Sequence, residues 1–335
     1  MLLGRPKVIL ITGGAGYIGS HVALNLLKNS DHEIVIFDNL ENGRPEAVET
    51  LQVVKRFNFL KGDLRNPTDI QRLFERFPNI DACIHLASYI IAPESCQQKK
   101  KYFLNNFIGS LNLINALVAN QALGLVFSSS AAVYGNAEYT PIDENHPRNP
   151  INPYGWTKLM VEEVLKSYDQ TCGFRSISLR YFNVAGADSD GLIGECHQPE
   201  THLIPNILKA SGDKVFNLYG DDYDTRDGTC IRDYVNVEDL AEAHTLALKY
   251  LLEGGKTDCF NLGTRTGSSV KEVFETCEEV TGRKIKFQVR DRRPGDPDTL
   301  VADNTKAGKI LGWHPRRTLK DSIRTAYQWE AKISH

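Results

Sequence analysis

Tyr154 and Lys158 stand four residues apart in Tyr154-Gly155-Trp156-Thr157-Lys158. On a helix that spacing puts both side chains on one face. A neighbouring ammonium favours a phenolate and lowers a tyrosine pKa from about 10 towards neutrality. A tyrosine tuned in this way can take a proton from a substrate hydroxyl and return it. The pair alone is a common coincidence, so its companions decide. Ser128-Ser129-Ser130 offers hydroxyls that can bond a reacting oxygen, although a serine turn at a strand end is the plainer reading. Gly13-Gly14-Ala15-Gly16-Tyr17-Ile18-Gly19 has the spacing G-x-x-G-x-x-G. Glycines there allow a tight turn and a close approach of backbone to a pyrophosphate, and a following helix N-terminus offers free N–H groups. A glycine cluster also suits any strand-to-helix turn, but strand, helix and place near the start of the chain all agree here. Asp38 lies 19 residues beyond Gly19. A carboxylate at that distance accepts hydrogen bonds from a ribose and repels a 2′-phosphate, which favours NAD over NADP. The alternative is that Asp38-Asn39 merely opens a turn. Asp63 is a second, weaker polar candidate beside an adenine.

Something must position these groups. Apolar runs at Val8–Thr12, Glu33–Asp38, Phe57–Lys61, Ala82–Leu86, Gly124–Ser128 and Arg175–Arg180 predict strands. Between them, Tyr17–Asn29, Pro67–Phe77, Lys99–Ala122 and Pro153–Thr171 carry helical patterns. Near-continuous apolar strands alternating with helices mean a doubly wound parallel sheet of Rossmann type, covered on both faces. Ligand chemistry then gathers at the carboxyl ends of the strands, where Gly13, Asp38 and the serine run fall. After about Phe182 the rhythm changes. Gly186–His202 and Gly220–Gly228 read as loops, and helices return at Val237–Leu252, Ser269–Thr281 and near Thr318–Trp329. Ser269 and Glu272 have the spacing of a capping box. The expected division is a cofactor domain over residues 1–182 and a smaller α/β substrate lobe over 183–335, with the chain free to cross between them.

Composition narrows the class. A length of 335 residues supports a sizeable core without staples. A net charge of -3 gives no reason to expect nucleic acid. No apolar run approaches the roughly 20 residues of a membrane helix, and the first strand begins too early to leave room for a signal peptide. The seven cysteines are scattered without a C-x-x-C pair, which predicts reduced thiols in a cytoplasm. The nine histidines include no H-x-x-x-H pair, and no metal is expected.

Taken together these residues resemble the extended short-chain dehydrogenase/reductases and, among them, the UDP-glucose 4-epimerase family. The likeness runs through Thr12–His21, Phe37–Asn39, Gly62-Asp63, Ser128–Gly135, Pro153–Lys158 and Arg180–Ala187. It continues outside the cofactor fold through Pro199–Pro205, Tyr219–Val235, Phe260–Thr264 and Arg292–Asp296. The resemblance implies that Tyr154 is the acid/base, Lys158 its tuner and Ser130 the hydroxyl bonded to the sugar O4. It implies NAD held by Gly13, Gly16, Tyr17, Ile18, Gly19, Asp38, Asn39, Asp63, Leu64, Leu86, Ala87, Ser88, Asn105, Ser128, Tyr154, Lys158 and Tyr181. It implies a UDP-hexose held by Ser130, Tyr154, Phe182, Asn183, His202, Leu203, Asn217, Tyr219, Arg232, Val270, Arg293, Asp296 and Leu300. Arg232 and Arg293 suit a diphosphate, which favours bidentate cations. Leu300 is placed to set which sugars fit. A homodimer is implied as well, with Leu113, Leu117, Val161 and Leu165 on the outward faces of the helices near Lys99–Ala122 and Pro153–Thr171; packing into the core is the other use for them.

Two positions depart from the family pattern. Ile90 stands where some members carry a lysine near the cofactor phosphates, and His202 where some carry an asparagine facing the diphosphate. Sugar-nucleotide 4,6-dehydratases share the Tyr/Lys pair but need an Asp/Glu pair just after the serine run. Decarboxylating relatives need a glutamate there. This chain has Ala131 and Ala132, which transfer no protons. A 4-epimerase of another UDP-sugar, such as an N-acetylhexosamine, pentose or uronate, stays open. A non-catalytic NAD-sensing protein would be expected to lose Tyr154 or Lys158.

Overall fold

The computed structural model describes residues 5–197, 199–209, 215–292 and 297–333. In chain order the elements are β1 (Val8–Thr12), α1 (Tyr17–Asn29), β2 (Glu33–Asp38), α2 (Pro45–Val54), β3 (Asn58–Lys61), α3 (Pro67–Arg76) and β4 (Ala82–His85). Then come α4 (Ala92–Gln97), α5 (Lys99–Tyr102), a π-helical stretch (Phe103–Ile108), α6 (Gly109–Ala119), β5 (Gly124–Ser130), a short 3₁₀ turn (Ala131–Val133), α7 (Pro153–Cys172) and β6 (Arg175–Tyr181). The remainder is β7 (Asn183–Ala185), α8 (Leu203–Lys209), β8 (Val215–Tyr219), β9 (Ile231–Arg232), β10 (Tyr234–Asn236), α9 (Val237–Leu252) and β11 (Asp258–Leu262). It ends with β12 (Ser268–Ser269), α10 (Val270–Thr281), β13 (Lys286–Arg290), β14 (Thr299–Leu300), α11 (Thr305–Leu311) and α12 (Leu319–Ile333).

Two compact units result. One holds Met1–Gly135, Arg148–Arg180 and Ala241–Phe260, the other Asn136–Pro147, Tyr181–Leu240 and Asn261–His335. A cut after residue 182 meets this division at one point only. Residues 241–260 return to the first unit because β11 extends its sheet beside β6.

The first unit is built on a seven-stranded sheet in the order β3-β2-β1-β4-β5-β6-β11. The pairings of β1 with β2 and β4, of β2 with β3 and of β4 with β5 are parallel. This is the doubly wound Rossmann arrangement, and its order reverses between β1 and β4, where ligands of such sheets bind. Burial explains why these strands read as unbroken apolar runs: every residue of β4 is buried, as are four of the five in β1.

Leu10, Val35, Phe37, Cys83, Leu125 and Phe127 share one core with Leu113, Leu117, Val161 and Leu165. That corrects the outward placement of the last four, which are at most 1 % exposed. Residues four apart on α6 and α7 fall on the stripe that faces the sheet. Leu104 and Ile108 of the π-helical stretch are exposed instead. The predicted helix Lys99–Ala122 is interrupted by that stretch and ends at Ala119. Among the described residues, four helices escaped the sequence pattern: α2, α4, α8 and α11, each of ten residues or fewer.

The second unit has the three-stranded sheet β12-β9-β14 and two strand pairs, β10-β7 and β13-β8. Its core packs Ile204, Leu208, Leu218, Phe274, Ile323 and Ala326. The capping box forms as expected: Ser269 Oγ accepts from the Glu272 N–H, and the Glu272 carboxylate accepts from the Ser269 N–H at 3.0 Å. All seven cysteines are free thiols. No described helix is long and apolar enough to cross a membrane.

Candidate active site

The glycine loop leaves β1 and enters α1 with no side-chain cap, so the first-turn N–H groups of the helix stay available. Gly13 has φ +75°, and a Cβ on it would fall 2.6 Å from the Ala87 nitrogen. The loop after β4 thus runs against the loop after β1, and only glycine permits that contact. A cleft opens here, lined by Gly13, Gly16, Asp38, Asn39, Asp63, Leu64, Leu86, Ala87, Ser88 and Asn105 among others. Ten predicted cofactor residues are therefore brought together. Tyr17 and Ile18 stand half-buried in the first turn of α1, and Gly19 is buried behind them. Tyr181 closes β6 and is buried.

Asp38 is buried, and its carboxylate accepts from the Ala15 N–H at 3.0 Å and the Leu40 N–H at 2.8 Å. Burial pushes its pKa up, against the pull of those two backbone bonds. Beside it, Asn39 donates to Asp63 at 3.1 Å. Sequence reasoning missed the next group. Arg65 grips Asp63 through Nε at 2.9 and 3.0 Å, reaches Glu41 at 2.8 Å and donates to the Tyr89 hydroxyl at 3.2 Å. The guanidinium holds the Asp63 carboxyl down to about 2. The available signal was the i, i+2 spacing of Asp63 and Arg65; Glu41 and Tyr89 come from other turns.

Tyr154 and Lys158 sit in the first turns of α7. Asn152 caps that helix, accepting from the Gly155 N–H at 2.8 Å, and Pro153 fills its first position. Gly155 has a role the motif did not announce. A Cβ there would fall 2.5 Å from the Ala132 carbonyl oxygen, so the glycine lets α7 pack directly on the turn that follows Ser130. That contact sets the hydroxyl pair: Tyr154 hydrogen-bonds Ser130, whose Oγ also accepts from the Ala132 N–H at 3.2 Å.

Lys158 is buried and donates to the Ser128 carbonyl at 2.8 Å and the Ser88 hydroxyl at 3.0 Å. Its ammonium lies 5.7 Å from the centre of the Tyr154 ring. Burial draws the Lys158 pKa down to about 7, with the Glu162 carboxylate pushing back. Burial also pushes the Tyr154 phenol above its ordinary value, opposed by the Ser130 bond. Without a cofactor, desolvation sets the direction for the phenol, while the Lys158 ammonium bonds to Ser88 and Ser128.

Two buried polar sets brace this arrangement. His85 bridges Thr12 at 2.6 Å and Ser110 at 2.7 Å. Ser110 donates its proton to the Asn106 carbonyl, so His85 Nε2 carries a hydrogen and Nδ1 accepts from Thr12. Burial, with Lys158 adding to it, lowers the His85 pKa to about 3 and keeps the ring neutral. Glu162 accepts from Ser129 Oγ at 2.5 Å and from Arg180 at 2.9 and 2.6 Å. Asn105 donates to Asn106, whose side chain clasps both backbone groups of Tyr89 at 2.9 Å.

In the second unit, Arg232 lies opposite Ser268 on β12 and opposite Leu300 on β14, and Val270 begins the helix that leaves β12. Arg232, Val270 and Leu300 therefore gather on one small sheet. Phe182 lies between β6 and β7, and Asn183 opens β7 and pairs with Tyr234. Asn217 accepts from Gln288 at 2.9 Å and Arg290 at 3.2 Å, and Tyr219 ends the same strand. His202 precedes α8, which Leu203 begins. Its Nδ1 lies 2.5 Å from a Glu195 oxygen and 3.4 Å from a Glu200 oxygen, so carboxylates already engage it. Arg293 and Asp296 lie outside the described residues.

Comparison with known proteins agrees with this picture. The family profile described as GDP-mannose 4,6 dehydratase matches residues 10–326. A UDP-glucose 4-epimerase of Lactobacillus helveticus is 48% identical over 324 residues, covering 96% of each chain. The crystal structure of UDP-glucose 4-epimerase from Brucella ovis in complex with NAD superposes with a TM-score of 0.90 at 42% identity, covering 96% of this chain and 98% of that one. A UDP-glucose-4-epimerase from Stenotrophomonas maltophila, with bound NAD and formylated UDP-arabinopyranose, gives 0.94 at 38% identity, covering 98% and 99%. With its doubly wound sheet, glycine loop and Tyr/Ser/Lys cluster, the chain belongs to the GDP-mannose 4,6 dehydratase family and, within it, to the UDP-glucose 4-epimerases.

Proposed function

We propose that this chain interconverts UDP-glucose and UDP-galactose, inverting the C4 hydroxyl through a transient 4-keto sugar with NAD as resident cofactor. It is an isomerase, with no net oxidation. The observation that carries the reading is the Ser130–Tyr154 hydroxyl pair with Lys158 one turn on, in a chain that UDP-glucose 4-epimerases match almost end to end.

The residues present fit a dinucleotide. The loop after β1 has no room for a Cβ at Gly13, the α1 N-terminus has no side-chain cap, and Asp38 lines the same cleft. Gly13, Gly16 and Gly19 with the head of α1 would hold the pyrophosphate. Asp38, Asn39 and Asp63 would hold the adenosine end, Lys158 the nicotinamide ribose. NAD, when bound, supplies a hydride acceptor that later returns the hydride. Tyr154 removes the O4 proton and restores it, with Ser130 bonded to the same oxygen. Burial by itself keeps the phenol protonated; the Lys158 ammonium and the positive charge of an oxidised nicotinamide favour the phenolate. Ala131 and Ala132, in the turn after β5, provide no acid or base for dehydration, which separates this chain from the family's dehydratases.

Phe182, Asn183, Leu203, Asn217, Tyr219, Arg232, Val270, Arg293, Asp296 and Leu300 are assigned to the UDP-sugar. Anchoring through UDP leaves the hexose loose enough to present either face. The working form is a cytoplasmic homodimer, with exposed Leu104 and Ile108 on the available helical face.

The test is to incubate the purified protein with UDP-galactose and added NAD and to look for UDP-glucose. Absence of product removes the assignment. Tyr154→Phe is expected to lose at least the 10²–10⁴-fold typical of a positioned proton-transfer group. Turnover within tenfold of wild type would take Tyr154 out of this role.

A further inference from the structure

The loop leading into α8 assembles four donors of a kind that bind transition metals. Glu195, His197, Glu200 and His202 each present one such atom, and the four atoms lie within 4.8 Å of one another. The His202 and His197 Nδ1 atoms are 2.5 and 2.9 Å from Glu195 Oε1. The His202 Nδ1 is also 3.4 Å from Glu200 Oε1. In a tetrahedral zinc site, bonds of about 2.0–2.2 Å place ligand atoms roughly 3.3 Å apart. Shifts of a few tenths of an ångström to about an ångström and a half would bring the cluster to that size. The His202 Nδ1 is shielded from water and faces both carboxylates.

The surroundings are those of held ligands. The Trp329 indole N–H donates to the Glu195 carbonyl at 2.9 Å, fixing the backbone beneath that residue. Glu200 Oε1 accepts from the Thr201 and His202 N–H groups, both at 2.9 Å. Such outer bonds orient a ligating carboxylate. Charge argues the same way. Lys209 sits 3.4 Å from both Glu200 and Glu330. Glu195 and Glu200 face the His197 and His202 imidazoles, and a dication would take the place of the protons that now bridge them. Buried carboxylates need compensation, and one dication provides it.

We propose that Glu195, His197, Glu200 and His202 form a zinc site in the second unit, binding through two imidazole nitrogens and two carboxylate oxygens. The donor set suits zinc better than calcium or magnesium, which prefer oxygen alone. The motif is Glu-x-His-x-x-Glu-x-His, with its two histidines five residues apart rather than four. The site uses neither the cofactor cleft nor the Tyr154 cluster, but it shares His202 with the residues that the resemblance gives to the UDP-hexose, so zinc is titrated with no UDP-sugar present.

The test uses the full chain, stripped with a chelator and titrated with Zn²⁺ in a calorimeter, with Co²⁺ as the spectroscopic probe. The expected result is one Zn²⁺ per chain at micromolar or tighter affinity. Four-coordinate Co²⁺ bands should appear, and Zn²⁺ should displace them. His197→Ala and Glu195→Gln should each weaken binding tenfold or more. Saturating Zn²⁺ should raise the melting temperature of wild type and leave the variants unmoved. Circular dichroism checks that the variants fold, and either one suffices if the other does not. No stoichiometric Zn²⁺, unchanged affinity in the folded variants, or a six-coordinate Co²⁺ spectrum overturns the site. The four side chains are then an ion-pair cluster bridged by protons.

Discussion

Glu162 is the residue whose removal tests most of the reasoning at once. Glu162 is 7 % exposed and its partner Arg180 2 %, and the Glu162 carboxylate joins α7 to β5 through Ser129 and to β6 through the Arg180 guanidinium. Glu162→Leu leaves the Arg180 guanidinium buried without its counter-ion. Breaking a buried pair from one side costs about 3–5 kcal/mol, because the remaining charge stays desolvated. Ser129 also loses the acceptor of its 2.5 Å bond, adding about 1 kcal/mol. Glu162→Leu combined with Arg180→Met removes both charges and should recover most of the loss.

Urea unfolding of the three proteins gives the stabilities, and a pH–rate profile gives a second readout. Glu162 is the charge that supports the Lys158 ammonium, whose pKa burial has already drawn to about 7. Both variants should therefore show the limb that reports loss of the Lys158 proton displaced to lower pH, with reduced turnover at neutral pH. A merely structural role for Glu162 would restore rate together with stability in the double variant. A Glu162→Leu variant as stable as wild type within about 1 kcal/mol, or a double variant no more stable than the single one, would refute this role for the buried pair.

Leu300 pairs with Arg232 across β14 and β9 and is half-buried. Wild type should work well on UDP-glucose and UDP-galactose and more slowly on UDP-N-acetylglucosamine. Leu300→Tyr should suppress the acetylated substrate by 10–200-fold, roughly 1–3 kcal/mol, and spare the plain hexoses; equal losses on both would show that Leu300 is not the gate. Ile90 is exposed and offers no cation, so extensive dialysis should wash out part of the NAD, and full nicotinamide occupancy afterwards would contradict this. Asp63 has a carboxyl depressed from 3.8 to about 2 by Arg65, so the stability it contributes is present above about pH 4 and is lost as the pH falls towards 2. In Arg65→Met the Asp63 titration, followed by NMR, should move back up towards the ordinary range; an unmoved midpoint would remove Arg65 as the cause.

What the sequence determined by itself was everything local periodicity encodes. Strands buried on both faces must be apolar throughout, so β1, β2, β4 and β5 were legible. The Tyr154–Lys158 spacing is a property of any helix, and the Ser269–Glu272 box of any helix start. The glycine spacing located the cofactor loop because turn geometry is local too. Tertiary structure decided what depends on surroundings. An apolar stripe does not say whether it meets a sheet or a second chain, and so Leu113, Leu117, Val161 and Leu165 were assigned outward and lie inside. A phenol's pKa depends on all the atoms that exclude water from it, so Tyr154 is raised by burial although Lys158 stands at the spacing that should lower it. Arg65 meets Glu41 and Tyr89 only when three separate turns close on one cleft. The sequence names Gly155 as a spacer inside a motif. The packing of α7 against the Ala132 carbonyl makes it a residue that cannot carry a side chain.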